Sequence, residues 1–342
     1  MSTPQLYRQH ELAFRTQYAE LKERVLAAGE LLPGTPGTLA RRTGTGHSYW
    51  YRVYYPAPGK QAESLVCKEG DDKTLASIRE RMEFAEWVAR QVVALRKLGF
   101  QVADKPVARV LVELHNRHAF DAGLTLVGTL GYMAWLNEYG VMSVTARTHD
   151  IDLARHERLK LAAPLPFLDT LKATNLPFAT VPSLEADDAP TSVKLPGAQA
   201  LRVDVLAPGR PIGKTIPVPE LDWAAQAVPY YDYLLEAPEP AAMLAGGHCV
   251  PVRLPQPARM VWHKLYSSTQ RSGFPEKAAK DRGQALTLAA ALADQEPGML
   301  EAAFNDAPAA MTAKVKRLSK SLIGGASTHP LLSEALTSCL GK

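Results

Sequence analysis

No run in the 342 residues approaches the ~18 uninterrupted apolar positions that a membrane-spanning helix needs. Insertion as a helical membrane protein is excluded, and no membrane partner is expected. Cysteine is scarce: Cys67, Cys249 and Cys339 are far apart and odd in number. They give neither zinc-ligand spacing nor a disulfide framework, so inert thiols in a reducing cytoplasm are expected. The opening Met1-Ser2-Thr3-Pro4-Gln5 lacks the basic-then-apolar pattern of a secretory leader, and no leader is expected. There is no repeat of fixed period and no low-complexity tract, which excludes solenoids and arrays. What is present is ordinary globular composition, 46% hydrophobic and 22% charged, over a length that suits about two domains.

The net charge of +4 hides a segregation. Residues 1–110 carry 17 Lys and Arg against 12 Asp and Glu, residues 111–254 carry 11 against 16, and residues 255–342 carry 11 against 7. An acidic centre between basic ends suits a chain that holds divalent cations in the middle and meets polyanions at its flanks; scattered solvated surface charge would give the same counts.

The apolar pattern divides the chain at the same places. In 1–110, a helix is expected over Leu6–Ala28, strand chemistry over 38–68 with a turn at 56–59, and a long helix from Lys73 to Leu98. Arg109–Leu114 reads as a short apolar strand. This part looks like a helix–hairpin extension. Residues 111–254 alternate: strand Leu124–Val127, helix Leu130–Tyr139, strands within 141–153, helix Leu165–Ala173, strand Phe178–Val181, and a hairpin of Ser192–Leu195 with Ala200–Leu206. That order specifies an α/β (α+β) fold, a mixed sheet with flanking helices. Residues 255–342 read as a helical domain, with helices over Ala258–Ser268, Pro275–Asp294, Gly298–Phe304, Ala309–Leu322 and Pro330–Leu340.

Chemistry concentrates in Thr148-His149-Asp150-Ile151-Asp152-Leu153. On a strand Asp150 and Asp152 project to one face, about 6–7 Å apart, while Ile151 and Leu153 enter the core. Asp204, between Val203 and Val205, adds a third carboxylate on a second strand. Three such groups on one sheet face can clamp two Mg²⁺ ions, which activate a hydroxyl and stabilise a leaving pyrophosphate. Gly128-Thr129 ends a strand and opens a helix. There a glycine admits a phosphate close to the backbone and the next hydroxyl and amides can bind it, or Thr129 simply caps the helix.

Taken together, Gly128-Thr129, Asp150-x-Asp152 and the single-Asp strand at Asp204 resemble the nucleotidyltransferase superfamily related to DNA polymerase β. The stretch between Thr129 and Asp150 is longer than in its minimal members. Downstream, Lys264, Arg271 and Lys280-Asp281 are similar to the succession in the helical half of AbiEii- and MenT-type bacterial nucleotidyltransferases. The resemblance implies that Asp150, Asp152 and Asp204 hold metal, and that Gly128, Thr129, Lys264, Arg271 and Lys280 hold the nucleoside triphosphate. Asp281 becomes a base or an orienting group. It also implies transfer of a nucleotidyl group to an acceptor hydroxyl, on RNA or tRNA in a toxin or phage-defence setting with an antitoxin protein as partner. A small aminoglycoside-like acceptor, a protein hydroxyl, or a catalytically silent nucleotide-binding module are the alternatives.

Basic and aromatic residues also mix in the N-terminal hairpin. Arg41, Arg42, Trp50 and Arg52 could follow a phosphate backbone and stack bases, or could be ordinary strand residues with one buried face. The P-loop look-alike Gly209-Arg210-Pro211-Ile212-Gly213-Lys214-Thr215 has one residue too few between its glycines and runs into Pro217 and Pro219 instead of a helix. His115 and His118 stand three apart with no companion ligands.

Overall fold

The computed structural model describes residues 5–44, 46–57, 59–144, 146–182, 188–198, 200–271 and 273–341. The chain opens with β1 (Arg8–Gln9), α1 (Leu12–Ala28), β2 (Thr38–Gly44), β3 (His47–Ala57), β4 (Lys60–Lys68), α2 (Asp72–Lys97) and α3 (Lys105–Asn116). The centre follows as β5 (Thr125–Leu126), α4 (Gly128–Glu138), β6 (Val141–Met142), β7 (Asp150–Ala154), α5 (Phe167–Lys172), β8 (Ala179–Thr180), β9 (Ser192–Lys194) and β10 (Arg202–Pro208). Next come β11 (Thr215–Val218), β12 (Trp223–Val228), α6 (Tyr231–Leu234), β13 (Glu239–Ala245) and β14 (His248–Leu254). The remainder is helical: α7 (Pro257–Thr269), α8 (Pro275–Gln295), α9 (Met299–Asn305), α10 (Ala309–Lys316), α11 (Ser319–Gly325) and α12 (Pro330–Leu340).

The central sheet is mixed, in the order β11-β12-β10-β7-β5, with β9 and β8 joined along the edge of β10. β10 runs parallel to both β7 and β12, while β5, β9 and β11 pair antiparallel to their neighbours. Alternation sets its two faces. Ile151, Leu153, Val203 and Val205 are fully buried, which sends Asp150, Asp152, Arg202 and Asp204 to the opposite face. The apolar side chains on the inner face supply the favourable burial energy, so the register of the acidic face is fixed by the core beneath it.

Three expectations change. Residues 109–114 are helical: α3 begins after Asp104 with Pro106 in its first turn, and Val107 to Val112 are buried all round. A short apolar run buried on every side has no period to distinguish helix from strand. The first helix starts at Leu12, because Arg8–Gln9 pairs instead with Val141–Met142. The expected helix over 309–322 is two helices, α10 and α11. The pattern over 215–254 also hid β11 to β14. β13 buries Ala241 to Ala245 on both faces, and alanine is a weak strand signal. The β13–β14 hairpin packs on α1, α2, α3 and α4, and one hydrophobic core extends from Tyr7 to Leu340.

Candidate active site

The parallel register of β7 and β10 places Asp152 directly beside Asp204 and Asp150 beside Arg202. Adjacent strands are about 4.8 Å apart, so two carboxylates stand as lateral neighbours on one face. Arg202 Nε donates to Asp204 Oδ1 at 2.7 Å, Ser192 Oγ donates to the same oxygen, and Arg202 Nη2 reaches Ser192 Oγ at 2.7 Å. Among the described residues Asp204 Oδ2 carries no hydrogen bond, so one oxygen is anchored and the other is open to a ligand. Ser192 and Arg202 were missed in the sequence. The signal for Arg202 was its position two residues before Asp204, hence on the same strand face.

Asp152 lies against the start of α4. Its backbone oxygen accepts from Val127 N at 3.0 Å, and its side chain meets Gly128 so closely that a Cβ there would sit 2.0 Å from Oδ2. Gly128 has φ +68°, a left-handed conformation that favours glycine. Val127, at the helix start, offers no side-chain cap. The first-turn amides, including that of Thr129, therefore lack intrahelical partners and bring partial positive charge to the acidic face. The Asp152 carboxyl is pushed up to about 7 by burial, then by the Asp204 and Asp150 charges; Lys264 and Arg271 oppose the rise. All four charges therefore act on one carboxyl.

The cations come from the helical part. Lys264 on α7 is buried, with Nζ 2.8 Å from Gln284 Oε1 and 3.5 Å from Asp281 Oδ1. Burial pushes its ammonium down, and Asp281 and Asp152 support its charge. Arg271 Nε lies 2.7 Å from Asp281 Oδ2, a charge contact without hydrogen-bond alignment. Asp281, on α8, thus sits between the two cations. Lys280 is exposed and its Nζ donates to the Arg147 carbonyl at 3.2 Å, near enough to Lys264 to disfavour its charge. Tyr231, which nothing in the sequence singled out, is buried beside this cluster, and its phenol is pushed up by burial and then by Asp152. His263 packs edge-on against Tyr231 and is held down to about 4 by burial, so it is neutral at pH 7.

The chain matches the family model described as Nucleotidyltransferase over residues 105–309, more than half its length. It belongs to the nucleotidyltransferase family. No curated protein matches its sequence. Among solved structures it is similar to an antigenic nucleotidyltransferase-like protein from Paracoccidioides brasiliensis. That likeness has 14% identity and a TM-score of 0.34 and covers 69% of this chain and 96% of the other, too loose to carry an argument.

In this nucleotidyltransferase the matched span contains every residue of the cluster from Gly128 to Asp281, and the N-terminal hairpin lies outside it. Within the hairpin, the expectation of nucleic-acid contact is corrected at Arg52. Arg52 is buried and donates to the carbonyls of Pro33, Thr35 and Pro36, with its guanidinium over the Tyr54 ring. Arg41 and Arg42 are exposed but paired with Glu69 and Glu63 at 2.9 and 2.6 Å, and Trp50 is half-buried.

The donor set also bears on metal. Among the described residues no three His, Cys, Asp or Glu side chains are gathered into a ready-made cage for an ion. Asp150, Asp152 and Asp204 share a face without closing one. A cation such as Mg²⁺ held there would need waters and substrate phosphates to complete its coordination. A carboxyl lifted by burial and then by neighbouring carboxylates is a group that a hard cation would relieve.

Proposed function

We propose that this nucleotidyltransferase moves a nucleotidyl group from a nucleoside triphosphate to an acceptor hydroxyl and releases pyrophosphate. The observation that carries the reading is the register pair Asp152–Asp204, laid against Gly128 and facing two cations on the helical side. Asp150 and Asp152 would hold Mg²⁺, which supplies charge neutralisation at the phosphates and lowers the pKa of an oxygen bound to it. Asp204, fixed through Oδ1, offers Oδ2 to the acceptor hydroxyl and takes its proton as the oxygen–phosphorus bond forms. The bond from that phosphorus to the bridging oxygen breaks, and pyrophosphate leaves. Lys264 and Arg271 meet the triphosphate as fixed positive charges, and the Gly128–Thr129 amides add donors at the start of α4. Asp281 orients both cations.

The AbiEii and MenT resemblance extends the reading to an RNA acceptor and a toxin or phage-defence role. The test is incubation with Mg²⁺ and each α-labelled triphosphate against cellular RNA, protein and small-molecule fractions, with pyrophosphate measured in parallel. Label and pyrophosphate should appear with the wild type and vanish in Asp150→Ala and Asp152→Ala. Transfer that persists in both variants, or no pyrophosphate from any triphosphate, overturns the proposal.

A further inference from the structure

Beyond the active site, cations and aromatic rings are interleaved along one continuous strip. Arg271 is followed backwards by Gln270, whose Oε1 accepts from Lys314 Nζ at 2.9 Å. Lys314 lies 5.5 Å from the centroid of Tyr266. Tyr266 meets Tyr230 edge-on at 4.9 Å, and the Arg210 guanidinium covers the Tyr230 ring at 4.4 Å. The strip ends at a cleft of about 240 Å³ between Arg210, Tyr230, Asp232 and Pro308. Tyr230 stands at φ +61°, a strained conformation for a bulky aromatic, and strain of this kind gathers at functional positions.

Charge separates this strip from the hairpin. Arg210 is exposed and, among the described residues, has no carboxylate partner, unlike Arg41 and Arg42. From residue 307 to 333 the sequence has Lys314, Lys316, Arg317 and Lys320 and not one Asp or Glu. That stretch contains α10 and α11, and α10 packs on α7, the helix that carries both Lys264 and Tyr266. A cationic run with no acidic residue of its own, beside the Arg210–Tyr230 stack, matches what single-stranded nucleic acid offers: a phosphate chain and flat, unpaired bases. Asp232 in the cleft would repel a phosphate and accept an N–H from a base, which orients bases toward the cleft and phosphates toward Arg210 and Lys314.

We propose that a single-stranded nucleic-acid acceptor lies along this strip, a base stacked on the Arg210–Tyr230 tier and its backbone following Lys314 toward Arg271 and the acidic face. The proposal rests on the nucleotidyl-transfer reading for its acceptor, but its test needs no turnover. Binding of a fluorescent single-stranded RNA about 10 nucleotides long is measured by anisotropy at several salt concentrations, with the melting temperature of each variant alongside. Arg210→Ala and Lys314→Ala should each weaken binding on the order of tenfold and flatten the salt slope by about 0.7 for each phosphate no longer neutralised. Arg41→Ala should leave it unchanged. Wild type that does not bind at low salt, or unchanged affinity and slope in both strip variants, overturns the proposal. Transfer of label to protein instead of RNA overturns it too. Pyrophosphate release with unchanged RNA affinity in the variants sinks the strip alone; weakened RNA binding with no pyrophosphate from any triphosphate sinks the transfer reading alone.

Discussion

Asp152→Asn should make the metal-free protein more stable, by an amount that grows as pH rises from 3.8 to about 7. Burial and the neighbouring Asp204 and Asp150 lift the Asp152 carboxyl from 3.8 to about 7. At about 1.4 kcal/mol per pH unit, ionising it in the folded protein costs up to about 4 kcal/mol relative to the unfolded chain. Part of this is returned, because Asp152 keeps some solvent contact and its charge supports the buried Lys264; a net gain of about 1–2 kcal/mol is expected in the variant. The sign follows from linkage. Between 3.8 and about 7 the folded state holds a proton that the unfolded state has lost, so wild-type stability declines as pH rises through that window. Below 3.8 both states are protonated and the difference is absent. Urea denaturation of wild type and variant in chelator, at pH values from the lower end of this window to above its upper end, reads the effect directly. The curves should converge at the lower end of the window, separate progressively up to about 7 and stay apart above it, while the variant shows no Mg²⁺-dependent transfer. A separation independent of pH, or a variant less stable at alkaline pH, would refute the electrostatic account of the site.

Two further outcomes test its geometry. Gly128→Ala should lose about 1–2 kcal/mol to left-handed strain, and should cut transfer on the order of 100-fold because its Cβ would displace the Asp152 carboxylate from a 2.0 Å approach; wild-type turnover at unchanged stability would show that Asp152 does not need that position. Asp281→Asn removes the counter-charge of buried Lys264 and should destabilise by about 3 kcal/mol. If Asp281 orients cations, KM for the triphosphate rises more than kcat falls; a fall in kcat alone would make it the base instead.

The acidic face was legible because strand alternation is a strict rule: Asp150-x-Asp152 between Ile151 and Leu153 leaves no other arrangement once Ile151 and Leu153 are buried. The pairing of Asp204 with Asp152 needed a register that no local pattern encodes, and only the parallel ladder of β7 and β10 supplies it. Arg52 illustrates the opposite failure. Alternation puts it on the same face as Trp50 and Tyr54, but which face of the hairpin packs inward depends on α2 and α3, elements far along the chain that cover it. Its guanidinium satisfies three loop carbonyls inside the fold, and a long basic side chain on a strand reads identically whether its head meets solvent or backbone. Tyr231 carried no motif at all; its place beside Asp152 comes from α6 packing on α7 and β10.

The site has two halves of opposite charge that neither half could hold alone. The sheet places Asp152 beside Asp204 at a cost in desolvation and then in like-charge repulsion, and the helices bury Lys264 at a cost in desolvation. Asp281 takes up part of the second cost, but the two charges near Asp152 that oppose its rise, Lys264 and Arg271, reach it only because α7 and α8 share a core with the central sheet. A triphosphate with its cation would complete this arrangement, because the cation meets the excess carboxylates and the phosphates meet the excess ammonium and guanidinium. A metal-free nucleoside triphosphate or a free metal ion, each satisfying only one half, should therefore bind far more weakly than the two together.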